Sequence, residues 1–204
     1  MNIGIDIDNT LCNNYERVLN WSEIYNYSIN GSNNKKDLNT LEMKDVFGWT
    51  QEQENEFWAK YIDVIAYNLE LRPFVKEVMK ELRSEGHKIY LITSRTNKLY
   101  PNILNITDEY IKKHNILCDN IIFEALNKLD ICKKNNISIL VDDNIKVCSE
   151  VSKEIPVLCF KTLYNQNFTC FNTINVSNWI EVYIEIQRFL GNKEYNLDIF
   201  KNIK

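Results

Sequence analysis

The chain has 204 residues, 45% hydrophobic and 12% aromatic, which excludes a disordered segment and suits one domain, or one domain carrying a sizeable insertion. Its formal net charge of −4 excludes the basic stripe of a general nucleic-acid or membrane-surface binder. The six cysteines include no C-x-x-C pair, so zinc spacing is absent and they read as small buried residues in a reducing cytoplasm.

The first element is a strand, Ile3 to Ile5, in the stretch Asn2-Ile3-Gly4-Ile5-Asp6-Ile7-Asp8-Asn9-Thr10. A strand this close to Met1 leaves no room for a secretory leader, and no apolar run approaches the ~18–20 residues of a membrane span. The strand ends in Asp6 and Asp8. At the carboxyl end of a central strand they would face the crevice where open α/β sheets hold their ligands. Two neighbouring acids repel each other, so a site that keeps both holds a cation or shares a proton. The plainer reading is a solvated acidic turn.

Apolar spacing then predicts a helix over Tyr15 to Tyr25, followed by a polar loop from Asn30 to Lys36. Thr50-Gln51-Glu52-Gln53 has the form of a capping box opening a helix that runs to about Tyr67. Residues 11–71 therefore read as an aromatic-rich helical insertion. Phe47, Trp49, Phe57 and Trp58 could pack inside it or stack on a flat ligand. Pro73 suits the first position of the next helix, and Gly86 its stop. Strands follow at Lys88 to Ile92, Ile121 to Phe123, Ile137 to Val141 and Pro156 to Phe160. Helices alternate with them at Thr107 to His114, Leu126 to Lys134, Ile145 to Lys153 and Asn178 to Leu190. That alternation predicts an α/β fold with a mostly parallel sheet, helices on both faces and all strand ends at one edge.

Those ends carry Asp6/Asp8, Thr93/Ser94, the Lys128 region and Asp142/Asp143. Each alone has a plain explanation. A Thr after a strand is often a helix cap, Lys133 and Lys134 compete with Lys128, and Asp-Asp-Asn is often only a turn. Taken in order, Asp6-x-Asp8-x-Thr10, Thr93, Lys128 and Asp142-Asp143 resemble the four motifs of the haloacid-dehalogenase-like (HAD) phosphatases. The resemblance spans residues 2–160. It is most similar to the 5'(3')-deoxyribonucleotidases and their bacterial relatives.

The resemblance implies a Rossmann-like core of residues 1–10 and 72–204, with residues 11–71 as a type-1 helical cap. It implies Asp6 as nucleophile, a role suited to a carboxylate that can form an aspartyl-phosphate. Asp8 becomes the acid that protonates the leaving oxygen and then the base that deprotonates water. Mg²⁺, a hard ion preferring oxygen ligands, would be held by Asp6, the Asp8 backbone carbonyl and Asp142. Asp143 would orient the shell or exchange roles with Asp142. Thr93, Ser94 and Lys128 would hold the phosphoryl oxygens. Family branches acting on carbon–halogen bonds lack an acid at position 8, so Asp8 favours phosphate esters.

The expected partner is a small phosphorylated metabolite, a nucleoside monophosphate, with no nucleic-acid polymer and no membrane; whether the chain forms a homodimer is left open. A sugar phosphate or another small ester is the second substrate reading. A phospho-receiver is disfavoured by the strand order of the acids and by the helical insertion, and a silent binding protein on the same fold by the filling of all the charged positions. His87 and His114 read as satisfied residues, and no Gly-rich nucleotide-triphosphate loop occurs.

Overall fold

The structure, a computed structural model, describes residues 1–201; the last three residues of the expected core range lie outside the described residues. Six strands form one wholly parallel sheet: β1 Asn2–Ile5, β2 Lys88–Ile92, β3 Asn120–Ile122, β4 Ile137–Asp142, β5 Val157–Phe160 and β6 Thr173–Val176. Their order is β3-β2-β1-β4-β5-β6, so the chain leaves β1 in one direction and resumes at β4 on its other side. In open α/β sheets such a reversal opens a crevice at the carboxyl ends of the strands.

β1 is central because it is apolar and narrow. Ile3 and Ile5 are fully buried. A Cβ on Gly4 would stand 3.0 Å from Ile92 Cδ1 and from Leu140 Cδ1. Strands buried on both faces carry continuous apolar runs, and β4 does the same with Ile139, Leu140 and Val141.

Three helices occupy the segment between β1 and the next core helix: α1 Asn14–Asn30, α2 Met43–Phe47 and α3 Gln51–Tyr67. Gly31, left-handed at φ 63°, ends α1. Thr50 opens α3 with the expected box: its Oγ1 accepts from Gln53 N at 3.3 Å, while Gln53 Oε1 accepts from Thr50 N at 2.9 Å. The segment leaves and returns side by side, since Cys12 bridges Leu71 and Arg72 N donates to the Leu11 carbonyl at 2.8 Å. Its interior is aromatic: Phe47 stacks on Trp49 with centroids 5.1 Å apart, and Phe57 sits 5.3 Å from Trp49. This cluster is continuous with the core on one face of the sheet.

The remaining helices are α4 Val75–Ser84, α5 Ile103–Lys113, α6 Lys128–Lys134, α7 Ile145–Val151 and α8 Trp179–Phe189. Several boundaries differ from the sequence expectation. Pro73 lies in a turn before α4, because Phe74 takes a left-handed conformation at φ 67° and the helix begins only at Val75. α5 starts four residues before Thr107, and β3 is displaced by one residue from the expected Ile121 to Phe123. Leu126 and Asn127 precede α6, with Asn127 as its cap. α2 and β6 were not expected. α2 has only five residues, too few to show a period, and β6 is an edge strand with Ile174 and Asn175 exposed. Among the described residues, no helix is long and apolar enough to cross a membrane, and all six cysteines are free.

Candidate active site

The sheet order brings the chain-distant strand ends together. Asp6 follows β1 and donates its backbone N–H to the Val141 carbonyl at 2.9 Å, which fixes it beside Asp142, the last residue of β4. Asp6, Asp142 and Asp143 are all buried, with ligand-type oxygens within 4.8 Å of one another. Asp142 Oδ1 accepts from Asn144 N at 2.9 Å. Asp143 accepts from Thr10 Oγ1 at 3.5 Å and from the Tyr164 hydroxyl, while Asn165 Nδ2 holds its carbonyl at 2.7 Å.

Lys128 stands at the first position of α6, where Asn127 Oδ1 caps the helix by accepting from Asp130 N at 3.2 Å. Its ammonium lies between two of the acids, 2.5 Å from Asp6 Oδ1 and 2.7 Å from Asp142 Oδ2. Lys133, a competitor in the sequence, instead forms an exposed pair with Glu154. Three buried carboxylates thus face one buried ammonium. Burial and the acidic surplus raise Asp6 well above the ordinary carboxylate range, with Lys128 opposing. Burial, together with Asp142, pushes Asp143 up to about 7, with Tyr164 opposing. Burial alone would lower the Lys128 ammonium, but Asp142 and Asp6 hold it well above its ordinary value.

A cleft of about 530 Å³ opens over this group. Asp6, Asp8, Ser94, Lys128, Asp142 and Asp143 all line it. Thr93 does not. Its side chain is fully buried behind the cleft, and its hydroxyl accepts from Arg95 N at 3.3 Å. Asp8 stands apart from the three-acid group and pairs with Arg95. Among the aromatic residues considered for stacking, Trp58 alone lines the cleft; Phe47, Trp49 and Phe57 are buried in the helical segment. The other aromatic walls are Tyr15, Tyr100 and Tyr164.

The match to known proteins now decides the family. The family described as 5' nucleotidase, deoxy (pyrimidine), cytosolic type C protein matches residues 1–190. The chain belongs to this family. A nucleotidase of Clostridium acetobutylicum is 29% identical over 196 residues, covering 95% of this chain and 97% of that protein. A haloacid dehalogenase-like hydrolase from Streptococcus pneumoniae has a TM-score of 0.62 at 16% identity, covering 93% of this chain and 97% of that one. A HAD-superfamily hydrolase of subfamily IA from Geobacter sulfurreducens gives a TM-score of 0.56 at 10% identity, over 91% and 95%. At those identities the two structures speak for the fold, and the fold is HAD-like. Within this nucleotidase family, the chain is a phosphatase.

Sequence reasoning passed over four residues of the site. Asn9, left-handed at φ 59°, accepts from Tyr15 N at 2.6 Å and, through its carbonyl, from Arg72 Nε at 3.0 Å. That Asn tolerates this conformation is a local signal that could have marked a shaped turn after Asp8. Arg95 directly follows Thr93 and Ser94, and its position at a strand end was readable. Tyr164 and Thr107 carried no such mark.

Proposed function

We propose that this chain is a Mg²⁺-dependent 5'(3')-deoxyribonucleotidase that hydrolyses nucleoside monophosphates through an aspartyl-phosphate on Asp6. The observation that carries it is the charge count at the head of the cleft: three buried carboxylates, whose ligand atoms are all oxygens, against the single ammonium of Lys128. With all three acids ionised two negative charges stand uncompensated in a desolvated site, a state that a divalent cation would stabilise, and a purely oxygen donor set suits a hard one. Asp6, Asp142 and Asp143 would hold the ion, with the Asp8 backbone carbonyl beside them. When bound, Mg²⁺ would neutralise phosphate charge and orient it for in-line displacement.

The chain's own groups account for the remaining steps. Asp6 attacks phosphorus as the leaving oxygen departs, and Asp8 supplies the proton that oxygen needs. Water then attacks the phosphoryl-aspartate as Asp8 recovers a proton from it. Lys128, fixed between two carboxylates, is placed to offset charge on the phosphoryl oxygens, and the Ser94 hydroxyl adds a donor on the cleft wall. Thr93, buried and outside the cleft lining, supports the loop that carries Ser94 by accepting from Arg95 N. Residues 11–71 act as a cap whose two ends meet at Cys12 and Leu71, and Trp58 with Tyr100 would flank the base. The free cysteines fit a reducing cytoplasm.

The test is a panel of deoxyribonucleoside and ribonucleoside monophosphates and sugar phosphates, assayed with Mg²⁺ and with chelator. Deoxyribonucleotides should be turned over, chelator should abolish turnover, and Asp6→Asn should be inactive yet folded. Preferential turnover of sugar phosphates would overturn the substrate, and an active Asp6→Asn protein would overturn the nucleophile.

A further inference from the structure

Asp8 is gripped at both oxygens by one guanidinium. Arg95 Nε donates to Oδ2 at 2.9 Å and Nη2 donates to Oδ1 at 2.6 Å. The remaining nitrogen, Nη1, donates to Thr107 Oγ1 at 2.9 Å, and that hydroxyl donates onward to the Ile103 carbonyl within α5 at 2.7 Å. The Arg95 side chain is 7% exposed and that of Asp8 28%; Asp8 lines the main cleft, and Arg95 borders a smaller adjoining cavity of about 180 Å³ that it shares with Asp8 and Ser94. Burial works against the Arg95 cation, yet Asp8 holds its pKa above the ordinary value, so it remains charged.

A bidentate fork fixes the plane of a carboxylate as well as its distance, which a lysine ammonium, a point charge, cannot do. A carboxylate offers about four lone-pair directions, and the fork takes one on each oxygen. The others stay free for a proton, and Asp8 lines the cleft beside Ser94. Thr107 lines neither cavity, and Arg95 lines only the smaller one, with Nε and Nη2 taken up by Asp8 and Nη1 by Thr107, so its link to the main cleft runs through Asp8.

We infer that Arg95 is a positioning residue for proton transfer: anchored by Thr107, it holds the Asp8 carboxyl in the one orientation that meets the oxygen leaving phosphorus. This rests on the reading of Asp8 as acid and base. In the first step an Asp6 oxygen bonds to phosphorus, the bond to the leaving oxygen breaks, and the departing electron pair takes the proton from Asp8. Asp8 is left as the carboxylate that the fork grips most strongly. In the second step a water oxygen bonds to phosphorus, its proton passes to Asp8, and the Asp6–phosphorus bond breaks. The clamp also ties α5, which packs on α3, to the reacting centre.

The experiment compares release of the leaving alcohol from two esters under single-turnover conditions with excess enzyme and Mg²⁺, which reads the first step alone, since the second step is common to both esters. A nucleoside monophosphate has an alkoxide leaving group that needs the proton; 4-nitrophenyl phosphate has a weakly basic one that barely does. Arg95→Met and Arg95→Lys should slow the nucleotide about 10²-fold, the scale of a misplaced catalytic group, and the nitrophenyl ester much less. Thr107→Val, which keeps the arginine and its charge, should show the same selectivity in weaker form; it serves as the reading if an Arg95 variant does not fold. Equal slowing of both esters, or slowing of neither, would refute the clamp. Asp8→Asn separates the two readings. If it slows both esters alike, the proton role of Asp8 falls with everything built on it. If it is selective while the Arg95 and Thr107 variants are not, only the clamp falls.

Discussion

Raising the pH should destabilise the metal-free protein through the acidic group at the head of the cleft. Asp143 is held at about 7 against an ordinary value of 3.8, first by burial and then by Asp142, and Asp6 is displaced in the same direction. A carboxyl whose folded pKa lies above its unfolded one keeps its proton in the folded chain after the unfolded chain has lost it. Stability is therefore highest below about 4 in this respect and falls as pH climbs to about 7. At about 1.4 kcal/mol for each pH unit in that interval, Asp143 alone accounts for a loss of ~4 kcal/mol. That is a large part of the 5–15 kcal/mol typical of a folded protein, and corresponds to a Tm drop of about 8–16 °C in a chain of this size. His87 and His114, both lowered by burial, oppose it: their charged forms are disfavoured in the folded chain, so stability gained from them rises toward pH 6.5. The assay is denaturant unfolding with chelator at pH 4.5, 5.5, 6.5 and 7.5, repeated with Mg²⁺ and with Asp143→Asn. Mg²⁺ should stabilise most at the highest pH, by about 2.7 kcal/mol at a hundred times its Kd. Asp143→Asn should flatten the metal-free slope. Stability that rises from pH 4.5 to 7.5 in chelator, or a slope untouched by Asp143→Asn, would refute the reasoning.

Other expectations follow from the same geometry. Lys128→Met removes the only cation bonded to Asp6 and Asp142 among the described residues, and should cost about 3–5 kcal/mol in chelator, with much of the loss recovered on adding Mg²⁺; denaturant titration reads both. Gly4→Ala forces a methyl to within 3.0 Å of Ile92 and Leu140; because those are side-chain tips that can shift, thermal unfolding should show a loss near the low end of about 1–3 kcal/mol. Thr50→Ala opens the capping box of α3 and should cost about 1 kcal/mol in the same assay. Trp58→Ala should raise KM for a nucleotide by about two- to tenfold with little change in kcat, since the ring lines the cleft and carries no group that takes part in the chemistry.

The local grammar of the chain determined a good deal. Ile3 to Ile5 is a short β-branched apolar run that ends in a polar turn and forms the strand such a run favours, and Thr50-Gln51-Glu52-Gln53 satisfies its own backbone, so both were legible from neighbours in sequence. Asp6, Asp142 and Asp143 were legible because each ends such a run, and a parallel sheet sends every run's end to the same edge. Tertiary structure decided the rest, because the deciding contacts join residues far apart in the chain. Lys128 rather than Lys133 enters the site through the direction of one short helix, and reaches Asp6 across 122 positions. Arg95 finds Asp8 across 87 positions because β1 and β2 are neighbours in the sheet. Phe47, Trp49 and Phe57 share their composition with Trp58, yet only the packing of the helical segment turns the first three inward and leaves Trp58 at the cleft. Periodicity records which way a side chain faces along its own element; which partner it meets depends on how elements are ordered in space.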